Sequence, residues 1–212
     1  MNNHSKTESQ LKIPVIAVIY GAVAVFLGST VIAHLVADIP FSFFSSDPLS
    51  LFEAHPLTGI QSNLGVLTLV STASICLFTA IVLRSKHASA SDFQFFLWSG
   101  LITFVLTLDD LFLIHEDLAI RYLEMGQKTV FVLYIIVIGR YIFKLRRTIP
   151  HSDHTVFILA IVFLGLSETI DSFRNFVDSP WGLFVEDGLK LFGIVSWSIY
   201  LIRESFRFIK IA

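Results

Sequence analysis

The sequence predicts an all-α membrane protein, a polytopic bundle of six transmembrane helices with both termini in the cytoplasm. Of its 212 residues, 54% are hydrophobic and only 15% are charged, whereas about 25% of a typical soluble domain is charged. The mean hydropathy is +0.74. Several apolar runs reach the roughly 20 residues that a helix needs to cross a bilayer. We therefore expect residues 1–212 to form a single integral membrane domain.

The same composition excludes several other classes of protein. A disordered chain or an ordinary soluble enzyme would not be this apolar. The formal net charge is −2, and no basic stripe remains outside the apolar runs, so we expect no nucleic-acid partner. The lone cysteine, Cys76, excludes an intramolecular disulfide. The expected partners are the lipid bilayer and an apolar substrate, and the sequence leaves the oligomeric state open.

Six apolar segments account for the predicted spans. They must be helices, because every backbone N–H and C=O in hydrocarbon has to be paired within its own segment. The first segment follows twelve polar residues and is too long for the core of a signal peptide, so we expect an uncleaved first span. The predicted spans cover about residues 13–36, 60–83, 93–114, 129–143, 155–173 and 181–202.

The distribution of Lys and Arg predicts the orientation, because cytoplasmic loops carry an excess of these residues. With the N-terminus inside, 11 of the 15 basic residues are cytoplasmic, 3 are outside and Lys190 lies within the sixth span. The cytoplasmic residues are Lys6, Lys12, Arg84, Lys86, Arg140, Lys144, Arg146, Arg147, Arg203, Arg207 and Lys210. Together with the short loops, this bias predicts a multi-pass protein of the bacterial inner (plasma) membrane.

Ionisable side chains inside three of the predicted spans indicate a functional site, because each one costs at least a few kcal/mol in hydrocarbon. Counted from the outer ends of their helices, Asp109, Glu168 and Asp187 lie at one depth, roughly 9 Å down. We therefore expect one acidic site that opens to the extracytoplasmic face. His115 points about 120° away from Asp109, so one helix face cannot hold every polar group of the third span unless the helix bends or ends.

The excess of negative charge predicts a bound cation. Carboxylates crowded together in hydrocarbon need protons, water or a cation to balance them. Asp, Glu and His are typical ligands of iron, manganese or zinc in helical bundles, although the Glu-x-x-His spacing of carboxylate bundles is absent. The predicted ligands of a divalent metal are Asp110, His115, Glu116, Glu168, Asp171 and Asp187.

Two further residues are predicted to be catalytic, Asp109 and Lys190. Lys190 lies four residues after Glu186 and three after Asp187, so it can pair with either. It is expected to hold one carboxylate ionised or to bind an anionic group of the substrate.

The leading functional hypothesis is a metal-dependent membrane enzyme that acts on a lipid or another apolar molecule. A metal-bound water would be the nucleophile of a hydrolase, and an iron pair would activate oxygen in an oxidase. Two alternatives stay open. Buried acids beside a lysine can relay protons, as in a proton- or cation-coupled transporter. An acidic mouth could instead dock a partner or bind calcium, as in a non-catalytic membrane subunit or sensor.

Overall fold

The computed structural model describes residues 13–46, 48–114, 119–124, 127–145, 154–171 and 180–211, and the regular structure in these ranges is helical. The all-α prediction is therefore confirmed for this part of the chain. The helices are α1 (Ile13–Ala37), α2 (Ser42–Ser45), α3 (Pro48–Leu51), α4 (Ile60–Ser85), α5 (Ala90–Phe112), α6 (Ala119–Leu123), α7 (Gln127–Leu145), α8 (His154–Asp171) and α9 (Pro180–Ile211).

Four of these helices are long and apolar enough to cross a membrane. They are the Tyr20–Ala37 part of α1, and α4, α5 and α8 in full. A shorter apolar stretch, Val132–Phe143, lies within α7. Four such helices are typical of an integral membrane protein.

The chain divides into two compact units, and residues 1–58 form the first. Helix α1 leaves large apolar side chains such as Val18 and Phe26 exposed. At its C-terminal end, the Nδ1 of His34 donates to the carbonyl oxygen of Ile39 at 2.9 Å. The His34 ring also packs against Phe41, with 4.2 Å between the ring centroids. These contacts fix the turn that follows α1.

Residues 59–212 form the second unit. In it, α4 packs against α5 and α9, α8 packs against α9, and α7 contacts α5. Glycine permits two of these close approaches. A methyl group built at Gly100 would lie 2.8 Å from Leu77 Cγ, and one at Gly193 would lie 2.6 Å from Leu164 Cγ. Small residues let apolar helices approach closely where no water is available to drive their association.

The core of this second unit is aromatic and is joined by hydrogen bonds between helices. Ser99 on α5 and the Tyr141 hydroxyl on α7 lie 2.8 Å apart. Trp197 Nε1 on α9 donates to Thr103 Oγ1 on α5 at 3.0 Å. These pairs satisfy buried polar groups and fix the rotation of each helix about its axis.

The third predicted span ends two residues earlier than expected. Helix α5 stops at Phe112, and Leu113 takes a left-handed conformation with φ +49°. The Leu113 N–H still donates to the Asp109 carbonyl oxygen. The helix therefore ends two residues after Asp110. From the sequence we expected the helix either to bend or to end in this region, because one helix face cannot hold every polar group of the third span.

The sixth predicted span is longer than expected, because α9 continues nine residues beyond residue 202 to Ile211. Within this extension Phe208 packs edge-on against Phe96 of α5, with 5.4 Å between the ring centroids. Arg207 and Glu204 form an ion pair at 2.7 Å. The ring contact and the ion pair both stabilise the helical C-terminal end of α9.

Candidate ligand-binding site

The site is built around two consecutive aspartates in the last turn of α5. Asp109 is 5% exposed and Asp110 is 8% exposed. Because neighbouring residues of a helix point about 100° apart, the two carboxylates face different surroundings. A buried carboxylate has to be hydrogen-bonded or paired, and each of these meets a partner from another helix.

Asp110 forms an ion pair with Lys190 of α9. The Lys190 Nζ donates to Asp110 Oδ1 at 2.5 Å, and 28% of the Lys190 side chain is exposed. The Tyr134 hydroxyl of α7 lies near enough to the Asp109 carboxylate for the two groups to interact electrostatically. These contacts connect the end of α5 to both neighbouring helices.

An apolar cavity of about 540 Å³ extends from these aspartates between α5, α7, α8 and α9. Most of its wall is aliphatic or aromatic, and each of these helices contributes a few polar residues. The lining residues are Leu69, Ile102, Leu106, Asp109, Asp110, Tyr134, Ile135, Ile138, Tyr141, Ile161, Leu164, Gly165, Glu168, Thr169, Lys190, Ile194 and Trp197. We call this space the apolar cavity.

A second space of about 320 Å³ lies between α4, the end of α5 and the first half of α9. It is lined by Gln61, Ser62, Gly65, Asp110, Leu113, Asp171, Leu183, Glu186, Asp187, Lys190, Leu191 and Ile194. We call it the polar cavity. Asp110, Lys190 and Ile194 line both cavities, so the ion pair lies where the two spaces meet.

Gly65 of α4 lies next to the second oxygen of Asp110. A methyl group built on Gly65 would lie 3.7 Å from Asp110 Oδ2 and 3.1 Å from Ile194 Cδ1. Asp110 Oδ2 is buried and has no hydrogen-bond partner in the described part of the chain. This oxygen is therefore an acceptor without a donor, located at the border of the polar cavity.

The sequence-predicted site residues fall into three groups. Asp109, Asp110, Glu168 and Lys190 line the apolar cavity, and Asp171 and Asp187 line the polar cavity with Asp110 and Lys190. His115 and Glu116 lie outside the described residues. Lys190 donates to Asp110 across the helix interface, and its predicted pairing with Glu186 or Asp187 stays a prediction.

The metal prediction finds no support within the described ranges. No group of three or more His, Cys, Asp or Glu side chains there lies close enough to hold a metal ion. Acids of the third, fifth and sixth predicted spans do share one space, because Asp110, Asp171, Glu186 and Asp187 all line the polar cavity.

Sequence reasoning missed Tyr134 and Gly65. Tyr134 lies in the apolar run of the fourth predicted span, where a tyrosine is typical of a side chain that only packs between helices. Gly65 likewise looks like one of several glycines that pack helices. Only the structure shows that Tyr134 lies near Asp109 and that Gly65 lies next to Asp110.

The fold and the site define an integral membrane protein of the helical class with a buried ion pair between an apolar and a polar cavity. The chain belongs to the family described as a domain of unknown function, DUF8692, which matches residues 15–203. No curated protein and no solved structure matches the chain.

Proposed function

We propose that this protein is a membrane enzyme that acts on a lipid or another apolar molecule bound in the apolar cavity. One observation carries the proposal: the apolar cavity ends at a buried carboxylate and a carboxylate–ammonium pair. Its volume of about 540 Å³ falls within the roughly 300–1,000 Å³ of small-molecule sites. Apolar walls with a few convergent polar groups are the usual composition of such sites.

The polar groups support acid–base chemistry. Asp109 is the proposed general base, because its carboxylate is withdrawn from water and lies near Tyr134. A carboxylate in such a place can take a proton from a water that attacks the substrate, which is hydrolysis. Lys190 pairs with Asp110, because its ammonium group donates to Asp110 Oδ1.

We further propose six membrane spans, with both termini in the cytoplasm of a bacterial inner membrane. The two additional spans are α7, which contains the apolar stretch Val132–Phe143, and α9, which is 32 residues long. The bias of basic residues towards one side supports the orientation. The polar cavity then opens to the extracytoplasmic face, and the apolar cavity is reached from the outer leaflet.

The test is a comparison of lipids before and after incubation with the reconstituted protein. Total membrane lipid would be incubated with the wild-type protein, with Lys190→Met and with Lys86→Met, and analysed by mass spectrometry. Lys86 is the matched control, because its Nζ donates to an exposed carbonyl oxygen of Ile209 at 3.2 Å and it is not among the described residues that line either cavity. We expect one lipid class to be consumed by the wild type and by Lys86→Met but not by Lys190→Met. No difference from protein-free vesicles for any variant would reject an enzyme.

A proton- or cation-coupled transporter is the second candidate. The observation that favours it is the position of Asp110 and Lys190 at the border of both cavities, because a carboxylate–lysine pair can pass protons between compartments. Proton uptake into vesicles that depends on an added apolar substrate, and that disappears in Asp110→Asn, would favour transport over hydrolysis.

A further inference from the structure

The two oxygens of the Asp110 carboxylate have different surroundings. Oδ1 accepts from Lys190 Nζ. Oδ2 is buried and has no donor within the described ranges, although the residue as a whole is only 8% exposed. An ionised oxygen without a hydrogen bond is costly to bury. This acceptor has no donor among the described residues, so a bound ligand can supply one.

The location of Oδ2 limits what that donor can be. Gly65 lies opposite it without a side chain of its own, and a methyl group built there would lie 3.7 Å from Oδ2 and 3.1 Å from Ile194 Cδ1. Asp110 borders the apolar cavity on one side and the polar cavity on the other. A molecule whose apolar part fills the first cavity therefore brings its polar end to Oδ2.

The charges around the polar cavity select the chemistry of this polar end. Of the described residues that line it, four carry carboxylates, Asp110, Asp171, Glu186 and Asp187, and Lys190 carries an ammonium group. An anionic head group would meet these carboxylates at close range, where like charges repel strongly. A hydroxyl or an ammonium group donates a hydrogen bond and meets no such repulsion.

We propose that the site takes an amphiphile whose polar end, an alcohol or a primary ammonium group, donates a hydrogen bond to Asp110 Oδ2. Its hydrocarbon part lies in the apolar cavity, beside Trp197. The inference rests on the proposed function in one respect, which is that the apolar cavity holds a lipid-like molecule. It adds the head group that the site prefers.

Quenching of Trp197 fluorescence by brominated ligands tests this preference. Trp98→Phe and Trp181→Phe, both at exposed positions, leave Trp197 as the only tryptophan, 6% exposed and in the wall of the apolar cavity. Four probes with the same brominated chain would be compared in nanodiscs at equal membrane concentration: the alcohol, the primary ammonium, the methyl ester and the carboxylate. We expect the alcohol, the ammonium or both to bind at least tenfold more tightly than the ester and the carboxylate.

Two variants locate the preference at Asp110. Asp110→Asn removes the negative charge at almost constant volume and should lower ammonium binding at least tenfold. Gly65→Ala keeps the charge and places a methyl group before Oδ2, so it should weaken both donor probes. Thermal unfolding of each variant shows that it is folded before binding is measured.

The remaining outcomes separate this inference from the proposed function. Equal quenching by all four probes, or tighter binding of the carboxylate, overturns the inference and leaves a lipid-binding cavity. Quenching of Trp197 by none of the probes overturns the inference together with the proposed function. A preference for the ammonium alone identifies a cationic amphiphile, and a preference for the alcohol alone identifies a neutral one; both support the proposal.

Discussion

Asp110 and Lys190 lie 80 residues apart in the chain and form an ion pair with 2.5 Å between Oδ1 and Nζ. The pair joins the C-terminal end of α5 to the first half of α9. The carboxylate is buried, whereas 28% of the lysine side chain is exposed. The pair is therefore partly shielded from water, and it connects the helices that form both cavities.

Removing the lysine should destabilise the protein measurably. Lys190→Met leaves Asp110 buried without its cation, and we expect the free energy of unfolding to fall by about 2 kcal/mol. This is less than the roughly 3–5 kcal/mol of a fully buried pair, because water reaches the lysine. The measurement is thermal or denaturant unfolding in detergent.

Two comparisons control this result. Lys86→Met, far from the site, should change the stability by less than about 0.5 kcal/mol. The double variant Asp110→Asn with Lys190→Met should recover part of the loss, because no charge is then left unpaired. Equal stability of Lys190→Met and Lys86→Met would show that the ion pair between Lys190 and Asp110 contributes nothing to the free energy of unfolding.

Packing between α8 and α9 should depend on Gly193. In Gly193→Ala the new methyl group would lie 2.6 Å from Leu164 Cγ and 2.9 Å from the Leu164 backbone nitrogen, so the helices must separate. We expect a loss of about 1–3 kcal/mol, as is typical of overpacked cores. Gly188→Ala on the same helix is the matched control, because no atom of the described residues lies within 4 Å of its new methyl group. A loss of the same size in both variants would contradict this account.

The proposed orientation can be tested by labelling single cysteines in intact cells. The background is Cys76→Ala, since Cys76 is the only native cysteine. Ser46→Cys should react with a membrane-impermeant maleimide, because it lies in the predicted outer connection between the first two spans. Ser85→Cys should react only after the cells are permeabilised. Both serines are exposed, so burial does not explain a difference; the reverse pattern would invert the topology.

The divalent metal remains a prediction from the sequence, and it now depends on His115 and Glu116. If these residues complete a site, purified protein should carry close to one equivalent of iron, manganese or zinc. His115→Ala combined with Glu116→Gln should then release it, because two ligands are lost. Asp92→Asn, at the opposite end of α5, should retain it. Element analysis measures all three, and an unchanged metal content in the double variant would remove these residues as ligands.

Composition and hydropathy predicted the all-helical membrane class, because the length of an apolar run and the need to pair the backbone in hydrocarbon are local properties. The same reasoning drew attention to Asp109, Asp110 and Lys190, because a charge in an apolar run is visible without knowing its neighbours. Element boundaries were less predictable. Helix α9 extends to Ile211 because Phe208 packs on Phe96 of α5, and a hydropathy profile does not contain that contact.

The partners of the polar residues depended on tertiary packing. Spacing alone shows that Lys190 can pair with Glu186 or Asp187 on its own helix, and it does not show the ion pair with Asp110 of α5. Which carboxylate a lysine meets depends on how α5 and α9 are rotated and how closely they approach, and residues such as Trp197 and Thr103 control this. Charge and hydrophobicity along a chain specify which groups are costly to bury. The three-dimensional contacts between helices decide which partner group compensates each buried charge.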